Sequence, residues 1–508
     1  MKKILRFLTQ RVVLTALLIL IQALLLFGII WKLNNYFIYF YAFSVLLSLL
    51  LTLRIINNKS NPAFKIAWLI PILLFPVLGG LVYLVFGSDR TGKYIRNKMG
   101  RIEKEMQDGI SKANERSGIE KMPPDVVNQS HYISNSAHCP PYKNTTVEYL
   151  PMGEVKFERM VQELKKAKRY IFMEYFIIQE GTMWNTILDV LEEKAKEGVD
   201  VRVIYDDMGC ILTLPTGYEK TLREKGIQCQ IFNPFIPILS SHFNTRDHRK
   251  ICVIDGNVGF TGGINLADEY INGYEKHGHW KDTAILLKGE AVFSLTTMFL
   301  SMWDYLIKKE GEDYAAYSPD SWDENAQGIV QPFADNPLDD EAVGETVYLN
   351  LINKAKRYVY ITTPYLILSN EMVTAMNTAA KSGVDVRIIT PHVPDKWYVH
   401  AVSRSYYEML VEAGVKIYEY TPGFVHAKTF VVDDEYAVVG TINLDYRSLY
   451  LHFECAAWMY KASCVTDVRD DFLKTQQMSQ EITLEECRNI SIPRRLGRSV
   501  LRVLAPLM

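Results

Sequence analysis

Two halves of this chain repeat one another, and that repeat limits the folds open to it more than any other feature. Residues 164–171 read LKKAKRYI and residues 352–359 read INKAKRYV. Residues 195–204 read AKEGVDVRVI and residues 380–389 read AKSGVDVRII. Each pair describes a helix ending at a charged turn, then a strand entered through Gly-Val-Asp-Val-Arg. The offset between halves is 188 residues at the first match, 185 at the second and 178 at a third described below. Short loop deletions produce such a slow drift. Short Val/Ile/Tyr runs alternate throughout with Ala/Lys/Glu-rich stretches, so the expected fold class is α/β. We expect two tandem mixed-sheet domains, 146–335 and 336–492, related by a pseudo-twofold, with the acidic, turn-rich segment 318–340 as the crossover.

The third match carries the chemistry. His248-Arg-Lys250 is followed by Ile-Cys-Val-Ile, then Asp255, and after six more residues by Gly262-Gly263-Ile-Asn265. His426-Ala-Lys428 is followed by Thr-Phe-Val-Val, then Asp433, and at the same distance by Gly440-Thr441-Ile-Asn443. On a strand, residues i and i+2 share a face, so each His and Lys project into the same space. Asp255-Gly256 and Asp433-Asp434 are turn-forming pairs that reverse the chain. A return strand then brings Asn265 or Asn443 back towards the His and Lys. Glycines 262 and 263 would let backbone N–H groups approach a ligand closely.

That inventory suits a phosphate diester. Two Lys and two Asn offer positive charge and donors to the non-bridging oxygens, where charge builds up in the transition state. Two His offer a nucleophile and a proton donor near neutral pH. No metal cluster is needed. A lone His-x-Lys is common and usually means nothing. Two copies with identical internal spacing, inside a repeat visible on other grounds, are hard to explain structurally. Glu454 and Asp282 are carboxylates able to orient a His, with a surface ion pair as the plain alternative for Asp282. Arg447 and Ser448 either bind a lipid phosphate or close a loop. His277-Gly-His279 lacks a third ligand nearby and reads as loop histidines.

The first 105 residues are of another kind. Segments 12–31, 36–53 and 66–86 are almost wholly apolar, and about 20 apolar helical residues cross a bilayer. Basic residues (Lys2, Lys3, Arg6, Arg11, then Arg54, Lys59, Lys65, then Arg90 to Lys104) flank these segments. Two spans forming a hairpin, with a third segment broken at Pro71, Pro76, Gly79 and Gly80, keep every basic flank inside. The expectation is a multi-pass protein of the cell membrane with its catalytic part in the cytoplasm. A Pro-rich linker, 106–145, follows. The formal net charge of −2 gives no basic field for nucleic acid. Seven scattered cysteines form no Cys-x-x-Cys pair, which argues against zinc and fits a reducing compartment. The tail, 493–508, alternates Arg494, Arg495, Arg498 and Arg502 with Leu and Val, the composition of an amphipathic helix on anionic lipid or one packed on the protein body.

At the two motifs the sequence resembles the phospholipase D superfamily, whose signature is His-x-Lys-x4-Asp-x6-Gly-Gly/Ser/Thr. Within it the likeness is to bacterial cardiolipin synthases. It is carried by residues 67–87 (AWLIPILLFPVLGGLVYLVFG), by Asn244-Thr-Arg246-Asp-His248-Arg-Lys250 and by Asn443-Leu-Asp445-Tyr-Arg447-Ser448, and it covers about residues 60–508. The resemblance implies two phospholipase D-like domains behind transmembrane helices. It implies His248, Lys250, Asp255, His426, Lys428 and Asp433 as catalytic, with Asn265, Asn443, Glu454, Gly262 and Gly263 binding phosphate or supporting the site. It further implies that His248 attacks a phosphatidylglycerol and expels glycerol, that His426 serves as acid then base, and that a second phosphatidylglycerol accepts the phosphatidyl group. The reverse assignment of the two histidines stays open, as do water or another alcohol as acceptor. No cofactor, nucleotide or metal is called for. Three apolar segments stand here where two are usual in such proteins.

Overall fold

The computed structural model describes residues 37–87, 99–100, 118–235, 244–309, 313–339 and 341–507, with scattered positions between 17 and 32. The basic flanks at Lys2 to Arg11 and Arg90 to Lys98, with Arg101 and Lys104, lie outside these, as does most of the 12–31 apolar segment.

Two sheets of matching strand order form the body. The first runs Thr145–Leu150, Ala284–Gly289, Val258–Gly262, Lys250–Ile254, Tyr170–Tyr175, Asp200–Asp206, Gln228–Phe232. The second runs Ile329–Asp335, His452–Tyr460, Tyr436–Gly440, Thr429–Val432, Tyr358–Thr362, Asp385–Pro391, Lys416–Tyr420, and adds Ser479–Glu481 at its edge. The Gly-Val-Asp-Val-Arg strands pair in parallel with Tyr170–Tyr175 and Tyr358–Thr362, and the motif strands pair antiparallel on the other side. Central strands are buried on both faces, which is why they read as continuous apolar runs. Helix Val292–Ile307, buried almost all round, lies against the first sheet and against strand Ile329–Asp335 of the second. The two sheets therefore share one core.

The repeat at 164–171 and the motif aspartates turn out to be one device. Asp255, at a positive φ of 53° that turns the chain, accepts hydrogen bonds from the backbone N–H groups of Lys168, Arg169 and Tyr170 at 2.9, 2.7 and 3.0 Å. Asp433 does the same for Lys356, Arg357 and Tyr358 at 2.7, 2.8 and 2.8 Å. Each carboxylate thus seals the start of the neighbouring strand, one strand length from its His. Asp255→Asn and Asp433→Asn are expected to lower the melting temperature, each costing about 1–3 kcal/mol. The folded fraction should retain most of its turnover, which thermal scans beside active-site titration will show.

Two boundaries shift from expectation. Strand Ile329–Asp335, placed in the first half by sequence, pairs with His452–Tyr460 of the second sheet. The supposed linker 106–145 contains helix Pro124–Ser136, started by Pro at its first turn and packed on helix Val343–Lys354. The Pro-Pro that suggested a linker is a helix start.

The 66–86 segment breaks at Phe75 into helices Pro62–Leu74 and Pro76–Val82, then a π turn, Tyr83–Gly87. Gly79 sits so close to the Pro71 carbonyl that a Cβ would lie 2.1 Å from it. The short second piece folds against helix Phe37–Asn57, where the Ser48 hydroxyl donates to the Pro76 carbonyl at 3.0 Å. Among the described residues no helix is long and apolar enough to cross a membrane. Helix Phe37–Asn57 carries Tyr39, Tyr41 and Arg54 near its ends and Ser44, Ser48 and Thr52 within, and the broken segment supplies only 13 and 7 helical residues. Their outward faces nevertheless expose Leu46, Leu49, Leu50, Leu53, Leu73 and Leu74. The tail forms helix Ile492–Leu504, packed on helices Trp397–Glu412 and Pro62–Leu74, with Ile492, Leu496 and Val500 exposed. Packing on the protein body thus accounts for one face of this helix, and the other turns apolar side chains outward. All seven cysteines are buried, and none forms a disulfide.

Candidate active site

Each half lends a short strand to the other. Arg246–Asp247 pairs in parallel with His452 and Phe453, and the His248 N–H donates to the Phe453 carbonyl at 2.9 Å. In return Gly423–Val425 pairs in parallel with His279–Lys281, and the His426 N–H donates to the Lys281 carbonyl at 2.7 Å. The residue after each accepting carbonyl is a carboxylate. His248 Nδ1 therefore lies 2.8 Å from Glu454 Oε1, and His426 Nδ1 lies 2.6 Å from Asp282 Oδ2. Glu454 and Asp282 stand 172 residues apart, continuing the drift of the repeat. The pairing is crosswise: each histidine is held by the carboxylate of the opposite half. With Nδ1–H given to a carboxylate, Nε2 is the free ring nitrogen.

The surroundings keep these carboxylates in place. A Cβ on Gly263 would lie 2.1 Å from Asp282 Oδ1, so glycine makes room for the acid there. The counterpart of Gly263 is Thr441, whose hydroxyl donates to Glu454. Gly263→Ala is expected to push Asp282 off His426 and to cut turnover by roughly 100-fold, read as a fall in kcat at unchanged expression and fold.

Lys250 and Lys428 are fully buried, and each Nζ donates to the carbonyl of the histidine two residues before it. Burial pushes their ammonium groups down, Lys250 to about 8 and Lys428 to about 7. His426 is pushed down to about 4 by burial and then by Lys428. Burial and Lys250 hold His248 well below the usual imidazole range, with Lys428 and His426 adding to the repulsion. Burial raises Glu454 to about 8. Four basic groups thus crowd a dry site, an arrangement that an anion relieves.

Other candidates are placed differently. Asn265 has both side-chain atoms in use, accepting from the Ile177 N–H at 3.0 Å and donating to the Tyr270 hydroxyl at 2.7 Å. Asn443 donates to the Ser448 hydroxyl at 3.0 Å while its buried Oδ1 has no partner. Each amide thus braces its own loop beneath the histidines through one of its two N–H groups. Gly262, at φ 146°, lets its strand approach Ala284 closely, and a Cβ would lie 2.5 Å from that Cα. His279 Nδ1 meets the Tyr420 hydroxyl at 2.8 Å, and His277 packs beside Trp280 and Phe424, so this pair serves the contact between halves.

Sequence reading passed over the rings around the two imidazoles. Tyr270, Trp280 and Phe424 surround His426, with centroids 5.6, 5.7 and 5.8 Å away. Phe176 and His452 face His248 at 5.1 and 5.8 Å. In the repeat, His452 takes the place of Trp280, and that mismatch was the available signal. The donor atoms of His248, His452 and Glu454 lie within 4.8 Å of one another and could hold a metal ion, although His248 and Glu454 are already bonded to each other.

A family model described as "Cardiolipin synthase, PLD-like domain" matches residues 160–303 and 348–476, the two halves that meet at this site. The chain belongs to that family. A second model, "Phospholipase_D-nuclease N-terminal", matches residues 46–88. Over 455 residues the chain is 36% identical to a cardiolipin synthase of Alkalihalophilus pseudofirmus, covering 89% of this chain and 90% of that one. It is 47% identical over 461 residues to an uncharacterized protein of Streptococcus mutans serotype c, covering 90% and 99%. The fold is similar to a phosphatidylserine synthase of Haemophilus influenzae, with a TM-score of 0.58 at 15% identity, over 75% of this chain and 100% of that one.

Proposed function

We propose that this protein is a phosphatidyltransferase that makes cardiolipin from two molecules of phosphatidylglycerol and releases glycerol. The observation that supports this reading best is the pair of buried imidazoles, each fixed through Nδ1 by a carboxylate of the other half. His248 Nε2 attacks the phosphorus of the first lipid. The P–O bond to glycerol breaks, and the departing oxygen takes a proton from His426. The phosphatidyl group is then held on His248. His426 next takes the proton of a hydroxyl on the second phosphatidylglycerol, and that oxygen attacks phosphorus and frees His248. Lys250 and Lys428 hold the non-bridging oxygens. One diester replaces another, so no nucleotide is consumed. The protein works at the membrane, attached through residues 1–105 and the exposed apolar faces of helices Phe37–Asn57, Pro62–Leu74 and Ile492–Leu504. Hydrolysis to phosphatidic acid is the competing outcome at the same site, and another alcohol as acceptor is its variant.

Burial and the neighbouring Lys428 leave His426 unprotonated near neutrality, whereas its first task is to give a proton. The substrate phosphate supplies the missing charge and raises the imidazole as it binds. kcat/KM should fall at acid pH, where His248 in the free enzyme gains a proton and loses the lone pair with which it attacks. It should also fall above pH about 7–8, as Lys428 and Lys250 lose their protons. For stability the sign is also fixed. His426 titrates lower in the folded chain than unfolded, so the stability it contributes is full above about pH 6.5 and is lost as pH falls towards about 4. A pH series of initial rates and of melting temperatures reads both.

The function itself is tested with purified protein in mixed micelles containing phosphatidylglycerol alone, without nucleotide. Cardiolipin with equimolar glycerol is the expected product. Phosphatidic acid with little cardiolipin would instead make the enzyme a hydrolase.

A further inference from the structure

The protein contains a chamber of about 900 Å³ between the N-terminal helices and the second half. One wall is the end of helix Phe37–Asn57, the start of helix Pro62–Leu74 and the π turn behind them. The other is formed by Asn244–Thr245, residues 335–337, 339, 341–342 and 345, and residues 449–452. Arg54, Lys59 and Lys65 line the first wall beside Phe64 and Trp68. The chamber ends at His452, whose ring lies 5.8 Å from that of His248.

Three features mark it as a binding site rather than a packing gap. Both ring nitrogens of His452 are buried without a hydrogen-bond partner among the described residues, although their neighbours are polar. A buried imidazole of that kind lacks a ligand that would accept or donate to it. Four carboxylates stand on the far wall, Asp335, Asp339, Glu341 and Glu345; Glu345 accepts from the Ser369 and Tyr450 hydroxyls at 2.5 Å each, Asp335 from the N–H groups of Val343 and Gly344, and Glu341 from the Tyr132 hydroxyl at 2.5 Å. Arg54 and Lys59, by contrast, have no acidic partner among the described residues. The lining is cationic on the wall of Arg54, Lys59 and Lys65, acidic on the wall opposite, aromatic and aliphatic between, and open to an uncharged polar group at its inner end.

We infer that this chamber holds the second, acceptor phospholipid, an anionic lipid with a hydroxylated headgroup. Its phosphate lies against Arg54 and Lys59, and its free hydroxyl reaches His452 beside the covalent intermediate. The inference rests on the proposed transfer reaction and adds to it the place from which the acceptor enters. It gives the N-terminal helices a part in substrate selection besides attachment: they are one wall of the site. It also accounts for the break in the repeat, since the tryptophan at the equivalent position over His426 closes the space that His452 leaves polar.

The test uses the full chain carrying His248→Ala, to prevent turnover, in phosphatidylcholine vesicles doped with phosphatidylglycerol bearing a diazirine near its headgroup. After photolysis, label is expected in residues 335–345 and 449–452, positions that bulk lipid does not reach. Adding Arg54→Glu and Lys59→Glu should reduce that label roughly tenfold or more, while far-ultraviolet dichroism stays the same. In the active enzyme, His452→Ala should raise the ratio of phosphatidic acid to cardiolipin several-fold, and His452→Asn should restore part of the transfer. Equal labelling by a phosphatidylcholine probe, or label unchanged by charge reversal, would overturn the chamber's role even if cardiolipin is made. Label in the chamber from an enzyme that makes no cardiolipin would leave the lipid site standing and remove the proposed reaction.

Discussion

His248→Ala and His426→Ala should each lower cardiolipin formation by at least about 10,000-fold while leaving the protein folded. The two variants should differ in what they accumulate. Without His248 no covalent phosphatidyl-enzyme forms. With His248 present and His426 replaced, the first attack is slowed but the adduct, once made, has no base to release it. Mass spectrometry of the peptide containing Arg246–His248 should then show the added phosphatidyl group in the His426 variant alone. An adduct on the peptide containing His426 instead, in the His248 variant, would reverse the two roles. Activity near wild type in either variant would remove the two-histidine mechanism itself. Because neither ring contributes to the core beyond its own pocket, the loss should come without a large fall in melting temperature.

The second large effect follows from the crosswise carboxylates. Glu454→Gln and Asp282→Asn replace an ionisable acceptor by an amide of the same shape. The histidine loses both its fixed tautomer and the charge that stabilises its protonated form, a change worth roughly 100- to 10,000-fold in kcat. KM for the lipid should move little, since neither carboxylate faces the substrate. Glu454→Gln should impair the step that depends on His248, formation of the adduct, in a single-turnover experiment. Asp282→Asn should impair proton transfer by His426 and also move the alkaline limb of the pH profile to lower pH, because Asp282 supports the charge on Lys428. If each carboxylate served the histidine of its own half, these assignments would exchange. The measurement therefore reads the swap of strands directly.

How much of this was legible beforehand can be judged residue by residue. The repeats at 164–171 and 195–204 are local patterns of propensity and polarity, and they marked two like α/β halves; the parallel pairs and the order of both sheets came only with the structure. The spacing within His-x-Lys is also local, because strand geometry alone puts both side chains on one face. Glu454 and Asp282 were visible as candidates, yet nothing local says which histidine each one meets. Asp255 and Asp433 share a spacing with the histidines but spend their carboxylates on backbone N–H groups. A motif records co-occurrence, and only tertiary contacts separate a group that faces the ligand from one that holds the frame. The same limit applies to Asn265 and Asn443. In the N-terminal region, apolar composition and a break among Pro71, Pro76, Gly79 and Gly80 were plain, but the place of the split at Phe75 and the folding back of the second piece depend on the close packing of Gly79 against Pro71.

The sequence by itself determined the duplicated α/β halves and the four basic residues of the site, because strand period and repeat need no long-range information. Tertiary structure alone decided the crosswise pairing, the downward shift of the histidines and the chamber that ends at His452. Each depends on which groups are brought together and dried across distances of more than 140 residues of chain.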